Sequence, residues 1–422
     1  MDLEAFRELL TSEGRTALAE AVRVVAEGLD PVAAATRLRR AYDPALTSAA
    51  LTQAALRRRG EAKFGADAAV MYFTPHGLEQ ATRAEVAAHR ARRVAGAVPA
   101  RAAGTAETAG FARAAAAAGP RVLDVCCGIG GDLIALARAG CAVDAVDLDP
   151  LTAEVARANT AALGLADLAE IRTADAADTD PSAYDVLFAD PARRGARGRV
   201  FDPMAYSPSW PATLDLASRA PAACLKVAPG IPYELIPEGA EAEWVSYKGE
   251  VKEAAIWLGG LARSAGDESG GFARRATLLP SGETLVPSGA EAGTGPVARY
   301  LYEPDGAAVR AHLVAEVADM VKGHLLDPRI AYITSDELVR TPWAAAYEVH
   351  EVMPFSLKAL RAALRKRGVG NVTIKKRGSA VDIDQLSRNL RLSGDNSAVI
   401  VLTRIAERPY ALICQTMSAS RP

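Results

Sequence analysis

The stretch Arg121-Val-Leu-Asp-Val-Cys-Cys-Gly-Ile-Gly-Gly-Asp132 constrains this 422-residue chain more than any other. A short apolar run breaks into a glycine-rich turn, and a helical pattern (Leu133 to Ala139) follows at once. Strand, glycine turn and helix in that order build a nucleotide-type site at the carboxyl end of a parallel strand. Gly128 and Gly130 let backbone approach a ligand closely, because no Cβ intervenes. Asp124 ends the strand, where it is placed to receive a cationic or hydroxylated group.

The next 70 residues narrow the ligand. A second apolar run, Ala142 to Asp149, ends in acids. Asp147 lies where a carboxylate accepts hydrogen bonds from the two ribose hydroxyls of an adenosine cofactor. A third acid, Asp175, follows a short strand pattern (Glu170 to Thr173). A fourth apolar run, Tyr184 to Asp190, delivers Asp190-Pro191-Ala192-Arg193-Arg194 at its tip. Asp132 closes the glycine loop, and its charge would repel a pyrophosphate. S-adenosylmethionine carries no phosphate and bears a sulfonium cation, so an acid-rimmed pocket suits it.

These four motifs, in this order, resemble the class I S-adenosylmethionine-dependent methyltransferases. The resemblance is closest to the trimethylguanosine synthase-like branch, whose loop also reads Cys-Gly-x-Gly-Gly. It implies a Rossmann-like α/β core with a seven-stranded sheet. It implies cofactor contacts from Asp124, Cys126, Gly128, Gly130, Asp147, Leu148, Asp175 and Ala176. It also makes Gln80, Thr82 and Arg83 candidate lid residues, Thr82 on the cofactor and Arg83 towards substrate. Asp190 and Pro191 stand where relatives acting on exocyclic amines hold the acceptor NH₂ by hydrogen bonds. The chain departs from that pattern twice: Ala192 replaces a second proline, and Arg193 replaces a stacking aromatic. Trp210 is then the best candidate to stack on a base. The tip also resembles the Asp-Pro-Pro-Arg of uracil C5-methyltransferases, but the next strand ends Lys226-Val-Ala-Pro229 without their nucleophilic cysteine. The covalent route is therefore excluded.

Composition bounds the remainder. Hydrophobic content of 50% with 24% charged residues fits a globular protein. No stretch reaches the roughly 18 apolar residues of a membrane span, and Met1 to Glu8 is unlike a secretory signal, so a cytoplasmic location is expected. Five scattered cysteines argue against a disulfide framework, and no metal-ligand spacing exists.

The net charge of −2 is unevenly spread. Residues 121–262 hold 12 Lys/Arg against 21 Asp/Glu, a net of −9. Residues 346–422 hold 13 against 6, a net of +7. A basic flank beside an acidic catalytic unit points to a polyanionic partner at the end of the chain. Lys358, Arg361 and Arg365 share one helical face there, and Lys375-Lys376-Arg377 ends the next strand pattern. Arg193, Arg194, Arg197 and Arg199 cluster beside the acceptor tip, where planar guanidinium groups match phosphate.

The expected division is a helical domain at residues 1–105, a methyltransferase core at 106–262, a connecting region at 263–345 and a small α/β domain at 346–422. In the connecting region a hairpin (Ala276 to Val286) and one amphipathic helix (Val309 to Leu325) are expected. The last segment resembles the THUMP-like module of some bacterial methyltransferases. The expected function is methylation of a base nitrogen in structured RNA, transfer RNA or ribosomal RNA. Two other readings stay open: a small-molecule or protein methyltransferase, and a non-catalytic RNA-binding protein that keeps the fold.

Overall fold

A computed structural model describes residues 1–97, 119–192, 194–195, 198–199, 203–263 and 271–417. The chain divides into two compact units, Met1–Ala242 with Ala254–Ala273, and Glu243–Glu253 with Arg274–Pro422.

The first unit opens with helices α1 (Leu3–Leu9), α2 (Ser12–Ala26), α3 (Pro31–Leu38) and α4 (Pro44–Phe64). Each starts where a short polar side chain accepts from the otherwise orphaned backbone N–H groups: Asp2, Thr11, Asp30 and Asp43. Pro31 and Pro44 stand in the first turn, where no N–H is needed. Phe6, Leu9, Leu18, Val24, Leu38 and Leu46 bury the inner faces. Helix α5 (Pro75–Gln80) and helix α6 (Ala84–Ala97) follow an extended segment, Met71 to Phe73.

The α/β core follows as β1 (Arg121–Val125), α7 (Gly131–Arg138), β2 (Ala142–Asp147), α8 (Pro150–Ala162), β3 (Ala169–Thr173) and β4 (Val186–Ala189). Then come α9 (Trp210–Ser218), β5 (Ala222–Val227), β6 (Glu241–Tyr247) and β7 (Glu250–Gly259). β1 pairs in parallel with both β2 and β4, and β4 in parallel with β5. β7 runs antiparallel to β5, with Ala222 opposite Gly259. Strands β4 and β5 are buried at every position, which explains their unbroken apolar runs. The order 6-7-5-4-1-2-3 reverses direction at β1 and opens a crevice at the carboxyl ends of β1 and β4. The seven expected strands form this core, and two more extend the sheet to nine. The hairpin of β8 (Ala273–Leu279) and β9 (Glu283–Leu285) continues it beyond β6 instead of standing apart as a connection.

The second unit holds a seven-stranded sheet of its own. Its strands are β10 (Tyr300–Pro304), β11 (His324–Asp327), β12 (Ile330–Ser335), β13 (Ala344–Pro354), β14 (Val369–Lys376), β15 (Asn396–Ile405) and β16 (Arg408–Thr416). They lie in the order 11-12-10-13-16-15-14. Helices α10 (Gly306–Arg310) and α11 (Val314–Met320) come between β10 and β11. Helices α12 (Leu357–Lys366) and α13 (Ile383–Leu390) cover one face through Leu360, Leu364, Leu386 and Leu390. Alternation along β15 sends Ile400 and Leu402 to that face and Val399 and Val401 to the other. The single helix expected over Val309 to Leu325 does not form. His312 and Lys322 take left-handed backbone (φ +53° and +50°), which ends two short helices, and Leu325 enters β11. The expected boundary at 345/346 falls inside β13.

Candidate functional site: a crevice at the carboxyl ends of β1, β2 and β4

The loop after β1 is shaped by backbone that side chains rarely tolerate. Cys126, Gly128 and Gly130 have φ values of +64°, +57° and +88°. Gly130 caps α7, so this helix starts in the crevice. Asp147, at the end of β2, holds the loop: its Oδ2 accepts from the Gly128 N–H at 2.9 Å and its Oδ1 from the Asp149 N–H at 3.0 Å. Burial raises the Asp147 carboxyl above the usual range, and those two N–H groups pull it back. Each oxygen keeps a lone pair for a ligand hydroxyl.

A cavity of about 520 Å³ lies over this loop. That volume is in the range of about 300–1,000 Å³ that holds cofactor-sized ligands. Of the residues expected at the site, Thr82, Cys126, Gly128, Asp147, Asp190 and Pro191 line it. Gln80 lines it as well. Asp124, Gly130, Leu148, Asp175, Ala176, Arg83 and Trp210 do not. Asp175 caps a short turn by accepting from Ala177 N at 2.9 Å, and Leu148 lies exposed beside Asp147.

Three expectations are corrected here. Trp210 is 2% exposed and donates from Nε1 to the Leu235 carbonyl at 2.9 Å, so it packs the core and cannot stack on a base. Arg83 does not line the cavity and donates instead to the Ala62 carbonyl at the end of α4. Asp132 is not a free repelling charge, since its carboxylate meets the Arg90 guanidinium and accepts from Thr82 Oγ1 at 2.9 Å. Burial alone would raise Asp132, but Arg90 overrides it and holds the carboxyl below its ordinary value. Arg193 and Arg197 lie outside the described residues, and Arg194 and Arg199 are described only as backbone of a two-residue ribbon.

The helical segment before β1 supplies one wall of the cavity. Thr74, His76, Glu79 and Gln80 all line it. Two side-chain amides hold this wall. Gln53 of α4 accepts from Phe73 N at 3.0 Å and donates to Phe73 O at 2.6 Å. Asn159 of α8 accepts from Tyr72 N at 2.6 Å and donates to Tyr72 O at 3.1 Å and Ile129 O at 2.9 Å. Lys63 Nζ donates to the carbonyls of Leu78, Glu79 and Ala81 at 2.7–2.8 Å, satisfying the end of α5. Gly77 lets α5 sit on the glycine loop, because a Cβ there would overlap Ile129.

Two carboxylates, one buried and one partly exposed, contrast under the loop. Asp124 is fully buried, and neither of its oxygens has a hydrogen-bond partner among the described residues. Burial, then the charges of Asp132, Asp190 and Asp147, pushes its carboxyl well above the usual range. Asp190, at the tip of β4, is instead ion-paired to Lys226 of β5, which is 4% exposed. Burial, then Asp147, pushes the Cys126 thiol far up, which favours its neutral form. Cys224 is fully buried within β5, and all five cysteines are unbridged. Among the described residues no group of His, Cys, Asp or Glu is arranged to hold a metal ion. No helix there is long and apolar enough to cross a membrane.

Loop, ribose-side acid and strand order together define a Rossmann-like methyltransferase fold. A methyltransferase domain model matches residues 122–192. A THUMP domain-like model matches 344–416, and a domain of unknown function matches 2–60. The chain is 37% identical over 361 residues to an uncharacterised S-adenosylmethionine-dependent methyltransferase of Mycobacterium tuberculosis strain H37Rv. That match covers 83% of this chain and 90% of the relative, and strain CDC 1551 / Oshkosh carries an equally similar protein. The fold is shared with the crystal structure of a methyltransferase candidate from Porphyromonas gingivalis W83 (TM-score 0.70, 20% identity, 90% of this chain and 92% of that one). The chain belongs to the S-adenosylmethionine-dependent methyltransferases, and its cofactor is S-adenosylmethionine. The residues present fit that group: a roomy cavity over a glycine turn, Asp147 with free lone pairs, and acids without a phosphate clamp among the described lining residues.

Proposed function

We propose that the protein methylates a base nitrogen of structured RNA, transfer RNA or ribosomal RNA. The observation that carries this reading is the THUMP domain-like match at 344–416, in a segment whose residues 346–422 bear a net charge of +7. Lys358, Arg365 and Lys366 of α12 are exposed and available to phosphates. The basic cluster is smaller than its composition suggests. Arg361 donates to the Asn389 carbonyl and clips α12 to α13, Arg367 pairs with Glu351 at 2.9 Å, and Lys375 pairs with Glu303 at 3.0 Å.

In this reading the cofactor, when bound, supplies the electrophilic methyl group. Asp147, Thr82 and the Gly128 backbone hold it. Asp190 and Pro191 orient the acceptor, and catalysis is mostly positioning. Residues 106–262 carry the chemistry, residues 1–105 wall the cofactor, and residues 346–422 hold RNA.

The test is mass spectrometry of nucleosides in RNA from cells with and without the gene. A methylated base that disappears with the gene, and returns with wild type but not Asp190→Ala, supports the reading. An unchanged nucleoside profile rejects RNA as substrate and leaves methylation of a protein or small molecule.

A further inference from the structure

Lys226 is a charged residue in the middle of a strand buried at all six positions. Its flanks, Cys224, Leu225 and Val227, are fully buried. Placing an ammonium there is costly unless a partner compensates it. The partner is Asp190: Lys226 Nζ donates to Asp190 Oδ2, across the parallel pairing of β4 with β5. Asp190 also lines the cavity, with about a quarter of its side chain exposed. Its other oxygen, Oδ1, accepts no hydrogen bond among the described residues. The carboxylate therefore has one oxygen tied to the sheet, on a residue that lines the cavity. Asp124, close by, has no such partner and is pushed towards its neutral form by burial and by the surrounding acids.

We propose that Lys226 is a positioning residue for methyl transfer. It fixes the orientation of Asp190, so that Oδ1 presents a hydrogen-bond acceptor to the N–H of the incoming nucleophile. The acceptor is then a group that carries a hydrogen-bond donor, such as an N–H, and carbon acceptors are disfavoured. This rests on the reading of Asp190 given above.

The test uses the full-length protein and the variants Lys226→Met, Lys226→Arg, Asp190→Asn and Lys226→Met/Asp190→Asn. Radiolabelled S-adenosylmethionine is offered to the RNA, protein and small-molecule fractions of cells lacking the gene. Whichever fraction takes label serves as substrate, so a failure of the RNA reading leaves the inference open to test. Lys226→Met should lower kcat about 100-fold or more with little change in cofactor KM, since a misplaced orienting group costs that much. Lys226→Arg should restore part of the rate. In the Asp190→Asn background, Lys226→Met should add less than about 2-fold, because the lysine acts only through Asp190. The double variant has no buried unpaired charge, so it keeps the test valid if Lys226→Met alone folds poorly. Additive losses, or Lys226→Met with wild-type kcat, overturn the proposal. Absence of label in every fraction overturns the reading beneath it, and the proposal with it.

Discussion

Asp124 and Asp147 end adjacent parallel strands, but the protein treats them oppositely. Asp147 accepts two backbone N–H bonds and faces the cavity. Asp147→Ala should weaken binding of S-adenosylhomocysteine by about 1.5–3 kcal/mol, since a charge-assisted bond to a ligand hydroxyl and the tether on Gly128 are both lost. Calorimetry showing equal affinity would remove Asp147 from the cofactor site. Asp124 has no partner, and its folded-state carboxyl titrates well above the ordinary 3.8. Above pH 3.8 the unfolded chain releases this proton while the folded chain retains it. The folded state then binds more protons, so this group makes stability fall as pH rises through that window. Asp124→Asn should therefore raise the Tm, and by about 2 °C or more at pH 8 than at pH 4.5. Melting curves across that range decide it, and an equal change at both ends would show that burial does not hold the proton.

At the scale of elements, the segment from Tyr72 to Thr82 is held by side chains of two helices, α4 and α8. It has no strand partner, so Gln53 and Asn159 supply the bonds that a neighbouring strand would. Asn159 also reaches Ile129 in the glycine loop, so one side chain couples the wall of the cavity to its floor. Asn159→Leu strands one buried N–H and two buried carbonyls. At about 1–3 kcal/mol for each group left bare, the loss should reach about 3 kcal/mol after relaxation. Urea denaturation reads it as a lower midpoint with an unchanged slope. S-adenosylhomocysteine affinity should fall in the same variant. A full-affinity Asn159→Leu protein would mean that the wall does not contribute to binding. Arg93 makes a comparable link, from α6 to Glu241 at 3.0 Å and to the Leu261 carbonyl at 2.7 Å.

For the whole molecule, the question is whether the +7 segment meets a polyanion. Lys358, Arg365 and Lys366 are exposed on α12, whereas Arg361 is half-buried against α13. Replacing the three exposed residues together by Ala should flatten the log–log salt dependence of RNA affinity by about 2–3 units, since each lost phosphate contact removes about 0.7–0.9. Affinity should drop for all sequences alike, because phosphate contacts position without specifying. Cofactor binding should not change. Fluorescence anisotropy of labelled transfer RNA across a salt series measures it, and identical slopes would reduce the patch to a solvated face. Arg361→Ala belongs to a different test: it should lower the Tm, because it removes the clip between α12 and α13.

The sequence by itself determined the order of strand, glycine turn and helix, the acids at the strand tips and the helical character of the opening segment. These are local properties: strand periodicity, the need for positive φ in the loop, and caps set by the residue beside each helix. Tertiary structure alone decided which polar side chains meet. Lys226 was visible as a lone charge in an apolar strand, but its partner lies 36 residues away on the neighbouring strand. Asn159 was one polar residue in an alanine-rich helix, yet it binds Tyr72 from 87 residues away. Trp210 read as a candidate to stack on a base because nothing local announces the Leu235 carbonyl that receives its N–H. Asp132 read as a repelling charge because Arg90 stands 42 residues before it. Such pairings depend on how the elements pack, and a buried charge or amide can persist only where the fold brings it a partner.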